Sequence, residues 1–300
     1  GDHVYRQDYR EIIAAHLESG ADATVATTEV PIAAAKEFGV VQTDSDGWIR
    51  GFIEKPEAPP SRRVSMGIYV FRASALWAAL RADAERDSAH DCGKNILPEL
   101  IRGGRVLAYR HTGYWQDIGT LDSYYRANLD LLKPSPPFSL EDPRWPIFTR
   151  SSEYPPARLG ARARVRSAIV THGSIVNGTV EHSILFPGAV VEEGAIVRES
   201  ILMGDSWIGP GAHVDRAILD KQVHVGGRAR VGAGEDFRPN VECPEHLSSG
   251  ITIVGKESRI PEGMTIGRNC RVAAQVIEED FPEDGLSSGG VLESGARAHR

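Results

Sequence analysis

Pro187-Gly188-Ala189-Val190, Glu193-Gly194-Ala195-Ile196 and Gly209-Pro210-Gly211-Ala212-His213-Val214 repeat one short pattern. In the first two a glycine and an alanine stand just before an aliphatic residue, and in the third His213 comes between. Around them Ile169, Ile175, Ile184, Val190, Ile196, Ile201, Ile208, Val214 and Ile218 recur at six residues or a neighbouring spacing. One aliphatic per six-residue unit is the signature of a parallel β-helix, in which each face of a triangular coil takes one unit. The pattern predicts that these aliphatics stack inside the prism and that the small residues fit its corners. The ladder pauses over 235–249 and resumes with Ile251, Ile253, Ile260, Ile266 and Val272.

Upstream the rhythm differs. Asp8 to Leu17 has helical spacing and stops at Gly20; Ala23 to Val30 is a β-branched run ended by Pro31. Phe38-Gly39-Val40-Val41 and Trp48 to Ile53 flank the turn Asp44-Ser45-Asp46-Gly47, which predicts a hairpin. Ser65 to Phe71 and Val106 to Arg110 read as strands. Ala73 to Arg81, Asn95 to Ile101 and Thr120 to Leu132 read as helices. The chain thus divides into an α/β domain over 1–133, a Pro-rich linker over 134–161, a β-helix over 162–278 and a disordered tail over 279–300.

Composition narrows the partners. Hydrophobic residues make up 41% and charged residues 25%, the proportions of a soluble globular protein. A net charge of -7 provides no field for nucleic acid or an anionic membrane, and no apolar run is long enough to span a bilayer. Cys92, Cys243 and Cys270 are odd in number and far apart, which argues against a disulfide framework and fits the cytoplasm.

Asp2 and Asp117 are the first candidate pair. Asp117 lies in Tyr114-Trp115-Gln116-Asp117-Ile118-Gly119-Thr120, a short strand breaking into a helix. Carboxylates on two adjacent strand ends can hold one Mg²⁺, which takes one or two carboxylates plus phosphate oxygens and water. The plainer reading is that each Asp caps the helix that follows it. In Glu54-Lys55-Pro56 a lysine held by a glutamate offers a fixed cation for a sugar phosphate, although such a tripeptide is also a common surface turn. Ser65 and Gly67 open a strand with small residues that suit close approach of a sugar ring, or simply packing. Asp91 either caps a helix or binds a hydroxyl.

The combination is more specific than its parts. Gly-Asp-His-Val-Tyr (1–5), Phe-Gly-Val-Val (38–41), Ile-Glu-Lys-Pro (53–56), Ser-Met-Gly-Ile-Tyr-Val-Phe (65–71), His-Asp-Cys-Gly-Lys-Asn-Ile-Leu-Pro (90–98) and Tyr-Trp-Gln-Asp-Ile-Gly-Thr (114–120) precede a hexapeptide β-helix. In this order they closely resemble the bacterial glucose-1-phosphate adenylyltransferases, to about residue 275. The resemblance implies an α/β fold, a partial Rossmann-like nucleotidyltransferase domain, followed by a left-handed parallel β-helix. It also implies conversion of ATP and glucose 1-phosphate to ADP-glucose and pyrophosphate, the committed step toward glycogen, and assembly as a homotetramer. Carried over by motif, Asp2 and Asp117 match the Mg²⁺-binding aspartates, with Asp2 the main catalytic one. Glu54 and Lys55 match the glucose-phosphate contacts, Ser65 and Gly67 the sugar-binding strand, and Asp91 and Trp115 line the same pocket. Lys256 resembles a basic position near the family's activator site.

Two departures follow. The family's Gly-rich nucleotide loop has no counterpart ahead of Asp2, so the expectation is a chain with part of the nucleotide site and little activity alone. Cys92 stands where the family usually has Phe. Two other classes compete. A hexapeptide acyltransferase would need a general base among His172, His182, His213 and His224. A non-catalytic regulatory or assembly subunit would use the β-helix as an interface. Arg158, Arg162, Arg164 and Arg166 form either an anion-binding patch or a solvated strand face.

Overall fold

A computed structural model describes residues 2–149 and 153–295. Its contacts divide it into two compact units, one of Tyr5–Trp115 and one of Gly1–Val4 with Gln116–Arg300.

In the first unit, helix α1 (Tyr9–Ser19) starts where the Asp8 carboxylate accepts the N–H of Arg10 at 2.9 Å. It stops at Gly20, whose φ of 63° is the left-handed conformation that glycine tolerates. A five-stranded sheet follows the predicted segments closely: β2 (Ala23–Glu29), β3 (Gly39–Thr43), β4 (Ile49–Glu54), β5 (Arg63–Phe71) and β6 (Val106–Arg110). Its order is β4-β3-β5-β2-β6, with β2 and β6 parallel and the other pairs antiparallel. The β3–β4 hairpin is pinned by Asp44, whose carboxylate accepts the N–H groups of Asp46 and Trp48 at 3.1 and 2.9 Å. Between Val25 and Thr27 the register of β2 on β5 shifts, and Gly67 of β5 has a φ of 72° at that bulge. Helix α3 (Ala73–Ala84) comes after the four-residue α2 (Ile32–Ala35). The single helix expected over 95–101 begins earlier, as a π-helical turn over Cys92–Ile96 that runs into α4 (Leu97–Arg102).

The second unit is a left-handed parallel β-helix with three ladders. Inward residues of the three faces form one continuous core: Val176, Val191, Ile208 and Val225 on the first, Val180, Val197, Val214 and Val231 on the second, Leu185, Leu202, Leu219 and Val254 on the third. The excursion anticipated over 235–249 is present. Thr252–Val254 returns to pair with Ala217–Leu219. Asn269 holds it by donating to the carbonyls of Phe237 and Arg238 at 3.1 and 3.0 Å.

Three expectations are corrected. Ile208, Val214, Ile260, Ile266 and Val272 face the interior, but Ile175, Val190 and Ile196 are half-buried neighbours of the true interior residues. A strand alternates sides at each residue, so an offset of one exchanges inside for outside. Ile201 and Ile218 are buried on the outer surface of the third face, where Leu247, Ile251 and Tyr125 cover them. Tyr125 belongs to α5 (Leu121–Asp130), which groups with the β-helix and not with the sheet; its hydroxyl donates to the carbonyl of Glu199 at 2.6 Å. Finally, the coils extend beyond 162–278. Arg158–Leu159 already pairs with Ile175–Val176, inside the supposed linker. Val291–Leu292 pairs with Arg271–Val272, because its backbone completes the ladder that the last coil leaves open. The disordered tail therefore does not begin at 279; residues 296–300 lie outside the described residues.

Candidate active site

Strand β4 delivers Glu54 to the end of the hairpin, opposite Gly39 on β3. A Cβ at Gly39 would lie 2.4 Å from Phe52 Cζ and 2.9 Å from Glu54 Oε2. A Cβ at Gly93 would lie 3.1 Å from the same oxygen and 3.3 Å from Asp91 Oδ1. The Glu54 and Asp91 carboxylates thus meet beside Gly93, and the Phe52 ring and Glu54 occupy the space that side chains at Gly39 and Gly93 would need. Asp91 is also the N-cap of the π-turn, accepting from the N–H groups of Gly93 and Lys94 at 2.8 and 2.9 Å. Ser65 Oγ accepts the Gly67 N–H at 3.1 Å and reaches Tyr69 Oη at 3.4 Å. Burial pushes the Tyr69 phenol up, with smaller contributions from Cys92, Glu54 and Asp91, so it stays a neutral hydroxyl beside the carboxylates. The carboxylates of Glu54 on β4 and Asp91 before the π-turn, with the β5 hydroxyls of Ser65 and Tyr69, are acceptors suited to the O–H groups of a sugar.

Lys55 follows β4 directly, with a φ of 46°, and its N–H donates to the Phe38 carbonyl at 3.1 Å. The Phe38 ring meets Trp115 edge-on at 5.3 Å. The lysine is not held by its glutamate, because Glu54 turns over Gly39 and Gly93 while Lys55 is exposed. Its cation is therefore directed to solvent.

The other predicted pair lies in the second unit. Strands β1 (His3–Tyr5) and β7 (Trp115–Asp117) form a two-stranded sheet, and the carbonyl of Asp2 accepts the Ile118 N–H at 2.9 Å. Asp2 thus precedes its strand, whereas Asp117 ends one. Asp117 Oδ1 accepts from Gly119 N–H at 2.9 Å, and Oδ2 is 3.4 Å from His3 Nε2. Burial lowers the His3 pKa against the opposing pull of Asp117. Neither aspartate caps a helix. Thr120 caps α5, accepting the Ser123 N–H at 3.2 Å. Among the described residues no cluster of three or more His, Cys, Asp or Glu side chains could hold a metal. Carboxylates such as Asp2 and Asp117 are the donor type that a hard divalent cation takes together with phosphate oxygens and water.

Sequence reading passed over His3, Phe38 and Tyr69. Each lies inside a quoted motif, yet only tertiary contacts single it out. Of the remaining candidates, Lys256 Nζ is 3.0 Å from Glu257 on the β-helix surface. His172 and His213 are exposed, His182 occupies a left-handed corner at φ 45°, and the His224 ring is 5.9 Å from Trp207. Arg158, Arg164 and Arg166 are exposed, and Arg162 pairs with Glu193. No described helix is long and apolar enough to cross a membrane.

A nucleotidyl transferase family model matches residues 1–134, and a GlmU-like C-terminal hexapeptide model matches residues 155–254. The first match runs on through α5, which by contacts joins the β-helix. A glucose-1-phosphate adenylyltransferase of Thermomicrobium roseum is 48% identical over 291 residues, 96% of this chain and 68% of that protein. Those of Acetivibrio thermocellus and Thermotoga maritima are 40% and 41% identical, again over 96% of this chain and over 68% and 69% of their own lengths. With the fold, the motif order and these identities agreeing, the chain belongs to the glucose-1-phosphate adenylyltransferase family.

Proposed function

We propose that this protein transfers an adenylyl group from ATP to glucose 1-phosphate, yielding ADP-glucose and pyrophosphate on the route to glycogen. A phosphate oxygen of the sugar phosphate attacks the α-phosphorus, and the bond from that phosphorus to the bridging oxygen of the β-phosphate breaks. The observation that carries this reading is the meeting of the Glu54 and Asp91 carboxylates beside Gly93, within electrostatic reach of the Tyr69 phenol that Ser65 contacts, with the exposed Lys55 cation next in sequence. Glu54 and Asp91 accept sugar hydroxyls, Gly67 gives the ring room, and Trp115 braces the Phe38–Lys55 turn. Lys55 takes the phosphate as a point charge. Asp2 and Asp117 would hold Mg²⁺. When bound, that ion disperses the negative charge gathering on the phosphates. Lys256 is assigned to an anionic effector, and the β-helix to contacts between identical subunits.

Calorimetric titration of the full chain with glucose 1-phosphate tests the reading. Saturable binding is expected, weakened at least about tenfold in Lys55→Ala, since a charge-assisted phosphate contact is lost. Unchanged affinity in that variant would remove Lys55 from the site, and absence of binding would overturn the substrate assignment.

A further inference from the structure

His90 stands immediately before Asp91 in a conformation that needs support. Its φ of 52° lies in the left-handed region, where a residue with a Cβ persists when its surroundings hold it there. The support comes from the end of α3. Asp83, in the last turn of that helix, is only 7% exposed, and its Oδ1 accepts the Ser88 hydroxyl at 2.8 Å. Its Oδ2 lies 2.7 Å from His90 Nδ1. Ser88 Oγ in turn accepts the His90 backbone N–H at 3.1 Å. The bonds from His90 and Ser88 hold the Asp83 carboxyl below its ordinary range, so it is an acceptor and Nδ1 is the ring nitrogen that donates.

The segment from Asp83 to His90 is thus closed on itself one residue before Asp91. On the far side Asp91 is tied as well. Its N–H donates to Asn95 Oδ1 at 3.1 Å, and its Oδ1 accepts the N–H groups of Gly93 and Lys94. Oδ1 is thereby committed to the turn, which makes Oδ2 the oxygen offered to a ligand. A buried carboxylate is costly unless donors reach it, and the donors that reach Asp83 come from the residues leading into Asp91. A functional side chain keeps its direction only when the residues around it are themselves fixed.

We propose that His90 is a positioning residue for Asp91: its Nδ1–H bond to Asp83 fixes the backbone entering Asp91, and with it the direction in which that carboxylate meets a sugar hydroxyl. The inference rests on the assignment of Asp91 to the sugar. His90 acts here as a placed donor in a left-handed residue, and two substitutions take those properties apart. Asparagine tolerates the conformation and carries an N–H donor on its side-chain amide. Glycine tolerates the conformation and carries no donor. All the residues involved lie in the α/β unit.

The test is calorimetric titration of the full chain and its variants with glucose 1-phosphate, with thermal melting alongside. Affinity should fall at least about fivefold in His90→Gly and stay within about twofold of the parent in His90→Asn, because only the first loses the tie. Asp91→Asn keeps an N-cap acceptor but loses the charge offered to the sugar, and it should weaken binding by itself. Adding His90→Gly to Asp91→Asn should then cost little more, a coupling that a merely structural role of His90 would not produce. Unchanged affinity in His90→Gly, failure of His90→Asn to restore binding, or additive losses in the double variant would overturn the positioning role while leaving the sugar site standing. No binding by the parent, or full affinity in Asp91→Asn, would overturn the assignment of Asp91 to the sugar and this inference with it.

Discussion

The two units keep their order by different means. The β-helix has one unbroken interior column, to which every coil contributes the same few positions. The α/β unit divides its apolar residues among three small clusters, around Ile49 and Leu97, around Ile12 and Met66, and around Val40 and Val64. What fixes its functional edge is mostly polar and local: the Asp91 cap, the Asp44 turn, the Ser65 bond to Gly67 and the close approach of Glu54 to Gly39 and Gly93. A repeated stack gives uniform rigidity, and an irregular sheet edge gives individually placed side chains. Chemistry needs the second, and assembly is served by the first.

That contrast can be tested most severely inside the stack. Leu202→Ala removes a fully buried interior side chain and should cost about 3 kcal/mol in denaturant unfolding, while Ile201→Ala, buried outward under Tyr125 and Leu247, should cost nearly as much. Ile196→Ala, half-buried on the neighbouring face, should cost less than about 1.5 kcal/mol. Equal losses at all three positions would mean that the column is no more than a row of apolar contacts. In the α/β unit, Asp8→Ala deletes the N-cap of α1 and should cost about 1 kcal/mol. A loss measured only as faster amide exchange within α1 would sharpen the view of this unit as locally stabilised. The smallest effect concerns acid. Asp215 is depressed in the folded protein, so its contribution is complete above the ordinary carboxylate range and is lost as pH falls from there through the folded value. Thermal melting of Asp215→Asn should therefore show a shallower decline than the parent below about pH 4. Parallel curves would show that Arg198 and Arg268 do not stabilise that carboxylate.

Periodicity and motif order made the architecture readable, because a hexapeptide repeat has few other physical outcomes. The side of the strand was less readable. Ile201-Leu202 and Ile218-Leu219 are adjacent aliphatics, and both members are buried because α5 and the excursion cover the outer surface of that face. Without that cover, the outward residue would have been polar and the register evident. The caps were legible in principle: Thr120-x-x-Ser123 is a capping sequence, and recognising it would have freed Asp117 from that role. Glu54 and Lys55 were found as a motif, yet their parting depends on two glycines distant in sequence, at 39 and 93. Likewise Asp91 does cap its turn, and the same carboxylate still lies with that of Glu54 beside Gly93.

The excursion between Ala233 and Thr252 separates two kinds of information in the chain. The ladder resumes in register with the previous coil, so the length of what lies between is not part of the instruction for stacking. Its path is set by a few ties instead, chiefly Asn240 and Asn269, and by Leu247 sealing the third face. Even at Val241, which is 74% exposed, the backbone N–H donates to the carbonyl of Gly289 at 2.9 Å. The coils thus carry their own register, and the excursion is held to them by a small set of backbone and amide ties.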